Sequence, residues 1–147
     1  YPMPLPVIAS SVAEKNILHS LQPVKNIFNL VKEADATFVG IGQITKNSPL
    51  LLDGFIDDST LELIKNEGAA GEIISWLYDK NGQVLTNATN ERVVSAPLTI
   101  NSSKPAYGIA AGTDKVKAIH AALKGKLINS LITNEYTAKA ILNMPVK

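Results

Sequence analysis

The sequence contains no cysteine among its 147 residues. A disulfide framework, a thiol nucleophile and a thiolate metal site are therefore excluded. No apolar run approaches the roughly 18 residues that a membrane-spanning helix needs, and the amino terminus lacks the basic segment and apolar core of a secretion signal. We expect no membrane partner and a cytoplasmic location, with which the lack of cysteine agrees.

An excess of charge of either sign is also missing, because 14 Lys and Arg residues face 13 Asp and Glu residues, for a net charge of +1. A segment that holds nucleic acid by itself needs a basic stripe that displaces counterions. Hydrophobic residues make up 46% of the chain, enough for the core of one domain or most of a larger one. Because residues 1–8 begin without a methionine and read as a strand or loop entered from upstream, we expect a piece of a longer protein.

The first half of the chain carries several helix signals. Ser11–Glu14 has the spacing of a capping box and predicts a helix to about Leu21. Pro23 suits the first turn of a second helix, because its missing N–H would have no partner there anyway. Ser59–Glu62 is a second capping-box match, and the helix that follows it should end near Gly68, a natural left-handed cap.

Strand signals lie between and after these helices. Ala36–Ile44 is a short apolar run of strand character, interrupted by two glycines. Asn47–Gly54 is predicted to be a loop. Glu72–Tyr78 and Gln83–Leu85 are predicted strands, joined at Asp79–Gly82, where an Asn-Gly pair favours a tight turn.

The last third alternates regularly. We predict a strand over Ala106–Ala111, a helix over Thr113–Lys124 that ends at Gly125, a strand over Leu127–Ile132 and a helix over Glu135–Asn143. Strands and helices that alternate with short links imply parallel crossovers and an α/β sheet with helices on both faces.

Ligands of open parallel sheets bind outside the carboxyl ends of the strands, and glycines mark one such place. Gly40 and Gly42 bracket Ile41 after an apolar run. Glycine lets a backbone approach a ligand closely and leaves N–H groups unobstructed. Two glycines at this spacing are a weak signal by themselves, and the alternative is that they serve only the packing of the sheet.

Two carboxylates are candidates for ligand contact. Glu72 follows small residues and precedes an apolar strand, where a carboxylate accepts hydrogen bonds from sugar hydroxyls or acts as a general base. A solvated glutamate at a strand end is the alternative interpretation. Asp53 is the loop carboxylate that we retain as a candidate.

A third place is Gly112–Lys115, which opens a predicted helix. Gly112 and Thr113 offer free backbone N–H groups and a hydroxyl where the helix dipole favours an anion. Lys115 is unfavourable for helix stability near an N-terminus, which invites a functional explanation, although surface lysines are common. His19 and His120 lie on predicted helices without a second ligand at metal spacing, and we assign them to the helix surface.

Five motifs follow one another along about residues 1–143. They are G-I-G at Gly40–Gly42, D-G-F-I at Asp53–Ile56, G-A-A-G-E-I at Gly68–Ile73, A-A-G-x-x-K at Ala110–Lys115 and L-I-T-N-E-x-T-A at Leu131–Ala138. Their order resembles the SorC-type sugar-binding domain. The sequence departs from common family forms at Ala111, where many members carry glycine, and at Asn134, where aspartate is usual.

The resemblance implies a Rossmann-like parallel sheet flanked by helices, similar to ribose-phosphate isomerase, glucosamine-phosphate deaminase and CoA-transferase-like proteins. It implies the effector-sensing domain of a bacterial sugar-responsive transcription regulator, typically tetrameric, which binds a sugar, a polyol or a phosphorylated sugar and uses no cofactor. Residues 1–147 would be the C-terminal part of that domain. The family's main phosphate-binding loop and its helix-turn-helix lie upstream, so DNA would be reached only through that absent N-terminal module.

The resemblance also assigns roles to the candidate residues. Glu72 and Lys115 are implied to contact the effector, Gly112 and Thr113 to shape the loop, and Asp53 to contribute less directly. One alternative is a sugar-phosphate isomerase or deaminase, with Glu72 as the base and Lys115 as a phosphate anchor or Schiff-base former. Another is a pure oligomerisation module, which would bind no saturable ligand.

Overall fold

A computed structural model of the chain describes residues 1–3 and 5–145, so Pro4, Val146 and Lys147 of the expected 1–147 domain lie outside the described residues.

The helices are α1 Val12–Ser20, α2 Gln22–Glu33, α3 Pro49–Leu52, α4 Asp58–Asn66, α5 Ala88–Glu91, α6 Val116–Lys124 and α7 Glu135–Leu142. The strands are β1 Thr37–Gly40, β2 Gly42–Gln43, β3 Ala69–Ile73, β4 Trp76–Asp79, β5 Ala106–Ile109 and β6 Ser130–Ile132. A 3-10 turn, Thr113–Lys115, leads into α6. No helix in the described ranges is long and apolar enough to cross a membrane.

The strands form two small sheets. One is parallel, in the order β1-β5-β6, and the other is antiparallel, in the order β2-β3-β4. The predicted mixed α/β fold with a parallel sheet flanked by helices is confirmed. The predicted single strand over Ala36–Ile44 is wrong in one respect, because the chain leaves the parallel sheet at Gly40 and enters the antiparallel sheet at Gly42. Ile41 therefore lies at the junction of the two sheets.

Helix α6 packs against the antiparallel sheet, chiefly against β3, and its apolar face forms the centre of the main core. Ile119 on α6 is fully buried, together with Tyr78 of β4 and Ile128 before β6. The Tyr78 hydroxyl donates to the Ala118 carbonyl at 3.1 Å. Successive residues of a strand point to opposite faces, so Leu77 belongs instead to a second core, formed with α3 and α4.

The second face of the parallel sheet is open to solvent in the described residues. Phe38 of β1 stacks on Tyr107 of β5 at 4.9 Å between ring centroids, and Phe38 is 60% exposed. Ile109 and Ile132, which pair across β5 and β6, are each 48% exposed. The helices of this part of the chain thus cover one face of the sheet, where the sequence led us to expect helices on both.

The helix starts confirm one capping prediction in part and correct another. Ser11 caps α1 by accepting from the Glu14 N–H at 3.1 Å, but the Glu14 carboxylate returns to the Ser10 N–H at 2.7 Å rather than to Ser11. The predicted cap at Ser59 is wrong, because Asp57 caps α4 and accepts from the Thr60 N–H at 2.8 Å. Asp57 has the extended backbone of an N-cap, whereas Ser59 already lies within the first turn of the helix.

Two predictions of irregular or extended structure also need correction. The predicted loop Asn47–Gly54 contains the short helix α3, which Pro49 begins, because a proline at N1 is already set at a helical φ. The predicted strand Glu72–Tyr78 is two strands, β3 and β4, with a tight turn at Ile74 and Ser75. The turn predicted at Asp79–Gly82 is confirmed, with Gly82 at φ 73°.

The turn at Gly82 rests directly on the end of α6. A Cβ added to Gly82 would lie 2.6 Å from the Gly125 Cα, and the end of α6 at Gly125 is the predicted one. Two backbones therefore touch where neither residue has a side chain, and this contact fixes the antiparallel sheet against α6.

Candidate functional site

Glu72 is a buried carboxylate in the middle of the antiparallel sheet, where it pairs with Gly42 across β2 and β3. The residue is 9% exposed. Its carboxylate accepts from the Ser75 N–H at 2.7 Å. Burial raises the pKa of Glu72 above its ordinary value of 4.5, while the Ser75 hydrogen bond and the charge of Lys115 act in the opposite direction.

The turn that supplies this N–H group has an unusual backbone. Ile74 has a φ of 45° and Ser75 a φ of 74°, a region that a β-branched residue rarely adopts. The Ser95 hydroxyl donates to the Ile74 carbonyl at 2.6 Å and holds the turn from the other side. The turn thus keeps one hydrogen-bond donor aimed at the Glu72 carboxylate.

Because Gly42 has no side chain, the Glu72 side chain can occupy the space beside it. A Cβ at position 42 would lie 2.8 Å from Cδ of Glu72, and closer still to Oε1. Gly40 is different, because a Cβ there would have nothing within 4 Å. Of the two predicted glycines, Gly42 therefore has a steric reason tied to the candidate carboxylate.

Lys115 approaches the same region from the 3-10 turn before α6. Its Nζ donates to the Ile41 carbonyl at 2.5 Å. The salt bridges within the described residues are Lys65–Glu62 and Lys139–Glu135. Lys115 therefore forms no ion pair with Glu72, although its positive charge acts to lower the Glu72 pKa.

One open cavity of about 290 Å³ brings four of the predicted site residues together: Gly40, Gly42, Glu72 and Lys115. Its other lining residues include the apolar side chains of Leu50 and Phe55, and Ser75 from the strained turn. We call it the Glu72 cavity. A buried acceptor and a cationic donor thus face a partly apolar space.

Gly112 and Thr113 do not line the Glu72 cavity but lie behind Lys115. Gly112 has a φ of 123°, and its N–H donates to the Thr137 hydroxyl at 2.9 Å. The Lys115 N–H returns to the Gly112 carbonyl at 3.2 Å. Thr137 is fully buried, so helix α7 anchors the loop that presents Lys115.

Asp53 lies apart from the cavity. It is an exposed residue at the end of α3, and Phe55, two residues further on, lines the cavity instead. Ser75 and Thr137 were not among the predicted site residues. Neither Gly nor Asn marks the turn at Ser75, so no local signal was available, whereas Thr137 lies within the last of the five family motifs.

An α/β domain in which a buried carboxylate and a lysine converge on one open cavity is typical of a protein that binds a small polar ligand. The comparisons with known proteins agree with this class. The family described as "Putative sugar-binding domain" matches residues 1–143. The chain belongs to this family of sugar-binding domains.

Individual relatives are regulators by name. The erythritol catabolism regulatory protein EryD of Brucella abortus is 32% identical over 145 residues, which cover 99% of this chain and 46% of that protein. The transcriptional regulator LsrR of Klebsiella pneumoniae is 34% identical over 145 residues, with coverage of 96% and 44%. The full-length sorbitol operon regulator SorC of Klebsiella pneumoniae superposes with a TM-score of 0.88 at 26% identity, covering 97% of this chain and 47% of that one.

The chain spans about half the length of the curated relatives that it matches. Because the relatives are named as transcriptional regulators, they support the sugar-binding domain of a regulator over the isomerase or deaminase alternative.

Proposed function

We propose that the chain is the effector-sensing part of a bacterial sugar-responsive transcription regulator, and that the Glu72 cavity binds the effector. The observation that carries the proposal is the convergence of the buried Glu72 carboxylate and Lys115 on one cavity. The family is one of sugar-binding domains, and EryD and LsrR carry the names of regulators.

The chemistry of the cavity fits a small polyhydroxylated ligand. A carboxylate accepts hydrogen bonds from two neighbouring hydroxyl groups, and the Lys115 ammonium donates to a hydroxyl or to an anionic group. Phe55 and Leu50 offer apolar surface to the C–H face of such a ligand. The volume of about 290 Å³ is at the lower end of the roughly 300–1,000 Å³ of ligand pockets, which favours a sugar, a polyol or a sugar phosphate.

The proposed mechanism is a shift between two states of an oligomer, a tetramer in the whole protein. An effector that binds one state more tightly shifts the equilibrium toward it and so changes the affinity for the operator. DNA contact would be made by a helix-turn-helix outside this chain, and the protein would act in the cytoplasm.

Thermal stabilisation against a panel of sugars, polyols and their phosphates tests the proposal. A ligand present at about 100 times its Kd adds roughly 2.7 kcal/mol to the free energy of unfolding. We expect one class to raise the melting temperature, and Glu72→Gln and Lys115→Ala to abolish the rise. The matched controls are Glu91→Gln and Lys25→Ala, which change the same groups at exposed positions.

Three other outcomes of these measurements would contradict the proposal. Turnover of a sugar phosphate would support the enzyme alternative. A ligand that stabilises both cavity variants as well as the wild type would show that the site lies elsewhere. No shift with any member of the panel would leave the oligomerisation module as the better interpretation.

A further inference from the structure

A second cavity lies on the opposite side of the β2–β3 pair from the Glu72 cavity. Gly42 pairs with Glu72, and the next residues along, Gln43 and Gly71, also pair. Because side chains alternate across a strand, the second pair points the other way, toward α6, where a Cβ at Gly71 would lie 2.7 Å from the Ala118 Cβ. The cavity on this side has a volume of about 470 Å³.

We call it the His120 cavity, and four side chains that can carry a charge line it. Lys80 comes from the turn after β4, Asp114 from the 3-10 turn, and Lys117 and His120 from one face of α6, at a spacing of three residues. The salt bridges of the described residues involve none of these four side chains. Two lysines therefore line the cavity with one aspartate, and no acidic side chain of the described residues forms a salt bridge with either lysine.

Gln43 supplies an independent indication that something polar binds there. The residue is 7% exposed and lines the same cavity. Its Nε2 donates to the Asn47 carbonyl at 2.9 Å, which fixes the orientation of the amide. Its Oε1 is buried and accepts no hydrogen bond within the described residues. A buried acceptor without a donor is costly, and a hydroxyl group bound in the cavity would satisfy it once the Gln43 side chain turns toward the cavity.

We propose that the His120 cavity is a second binding site, for a small organic anion that also carries hydroxyl groups. Lys80 and Lys117 bind the phosphate or carboxylate of this molecule, with charge-assisted hydrogen bonds. Gln43 Oε1 and the Asp114 carboxylate accept hydrogen bonds from its hydroxyl groups. A ligand with only an anionic group would leave Gln43 Oε1 without a donor, so the two kinds of group are needed together.

The two cavities share one structural element. Lys115 lines the Glu72 cavity, while Asp114 and Lys117, its near neighbours in sequence, line the His120 cavity. A ligand that holds Asp114 and Lys117 therefore holds the same turn that presents Lys115. The second site is thus placed to alter the affinity of the first.

The test uses glycerol 3-phosphate as the probe and glycerol as its uncharged control, followed by NMR amide shifts of the labelled chain. We expect saturable shifts at Thr45, Ala69 and His120 with glycerol 3-phosphate and none with glycerol. Lys117→Ala should weaken this binding about tenfold or more, since it removes a charge-assisted hydrogen bond. Lys25→Ala, the same change at an exposed site of α2, should leave the Kd within about twofold, because surface changes away from a site have small effects.

Lys115→Ala separates the two sites. It should remove any shifts of the probe at Gly40, Gly42 and Ser75 while those at Thr45 and His120 remain. The proposal is overturned if the shifts at Thr45 and His120 are absent or do not saturate. It is equally overturned if Lys117→Ala leaves the Kd unchanged, or if every shift disappears in Lys115→Ala, which would place the anion in the Glu72 cavity alone.

Discussion

Gly42 and Glu72 face each other across the β2–β3 pair so closely that the carboxylate of one occupies the place where the other would carry a side chain. Because position 42 has no Cβ, the Glu72 side chain can pack directly over Gly42 on the antiparallel sheet. The glycine and the glutamate form one structural unit, although 30 residues separate them in the sequence.

Replacing Gly42 with alanine should disturb this unit. Because the new methyl group would overlap the Glu72 carboxylate, we expect the free energy of unfolding to fall by about 1–3 kcal/mol, as for other overpacked sites. Gly40→Ala is the matched control, since a Cβ there meets nothing within 4 Å, and its effect should stay within about 0.5 kcal/mol. Chemical denaturation of both variants measures the difference, and equal effects would refute the steric explanation.

The raised pKa of Glu72 predicts how its contribution to stability depends on pH. Burial makes the native chain hold this proton above the ordinary pKa of 4.5, where the unfolded chain releases it. The contribution of Glu72 is therefore fully present below pH 4.5 and is lost as the pH rises through the native pKa. Denaturation of the wild type and Glu72→Gln between about pH 4 and pH 8 isolates this term, because the other titrating groups are common to both proteins. The wild type should lose stability relative to the variant as the pH rises, and the opposite slope would mean that the charged form is the favoured one.

The contact between Gly82 and Gly125 makes a prediction that does not involve the Glu72 cavity. A Cβ at Gly125 would lie 2.5 Å from the Gly82 Cα, so Gly125→Ala must push the turn away from α6. We expect a loss of about 1–3 kcal/mol in the free energy of unfolding, measured by urea denaturation. Lys124→Ala, one residue earlier, serves as control, because it removes only an exposed hydrogen bond to Asn81. A tolerant Gly125→Ala would show that the two backbones separate at little cost.

Asn134 caps α7 and accepts from the Thr137 N–H at 2.9 Å. Removing the cap with Asn134→Ala should cost about 1 kcal/mol of stability. Asn134→Asp should retain or slightly improve it, because a charged acceptor suits the positive end of a helix dipole. Melting curves of the three proteins check the order, and an alanine variant as stable as the wild type would mean that the cap contributes nothing.

The sequence predicted much of the last third of the chain, because its signals are local. Gly125 ends α6 and Asn134 caps α7 as expected, and β5 lies within the predicted strand Ala106–Ala111. The strand over Leu127–Ile132 is shorter than predicted, since only Ser130–Ile132 pairs with β5. Leu127 and Ile128 are instead buried in the core as part of the connection from α6.

The middle of the chain was harder to predict, because its structure depends on partners that are distant in sequence. Ile74 and Ser75 adopt positive φ values although neither favours them, and the hydrogen bonds from Ser75 to Glu72 and from Ser95 to Ile74 hold them there. Similarly, the apolar run around Ile41 gave no sign that it would be divided between two sheets. The pairing of Glu72 with Gly42 follows from that division, so it was beyond local reasoning.

The division of the chain at Ile41 has a consequence for the free energy with which the Glu72 cavity can bind a ligand. The carbonyl of Ile41 belongs to no strand ladder, and Lys115 Nζ already donates to it. A free lysine side chain would lose rotamer entropy when a ligand fixes it, at a cost of about 0.5–1.5 kcal/mol. In the folded chain the hydrogen bond to Ile41 already restricts the Lys115 side chain, so ligand binding removes less of its rotamer entropy. The Lys115 ammonium keeps two further N–H donors for a ligand. The Glu72 cavity therefore presents a preorganised cation to the effector that we propose, and fixing this side chain costs little further free energy on binding.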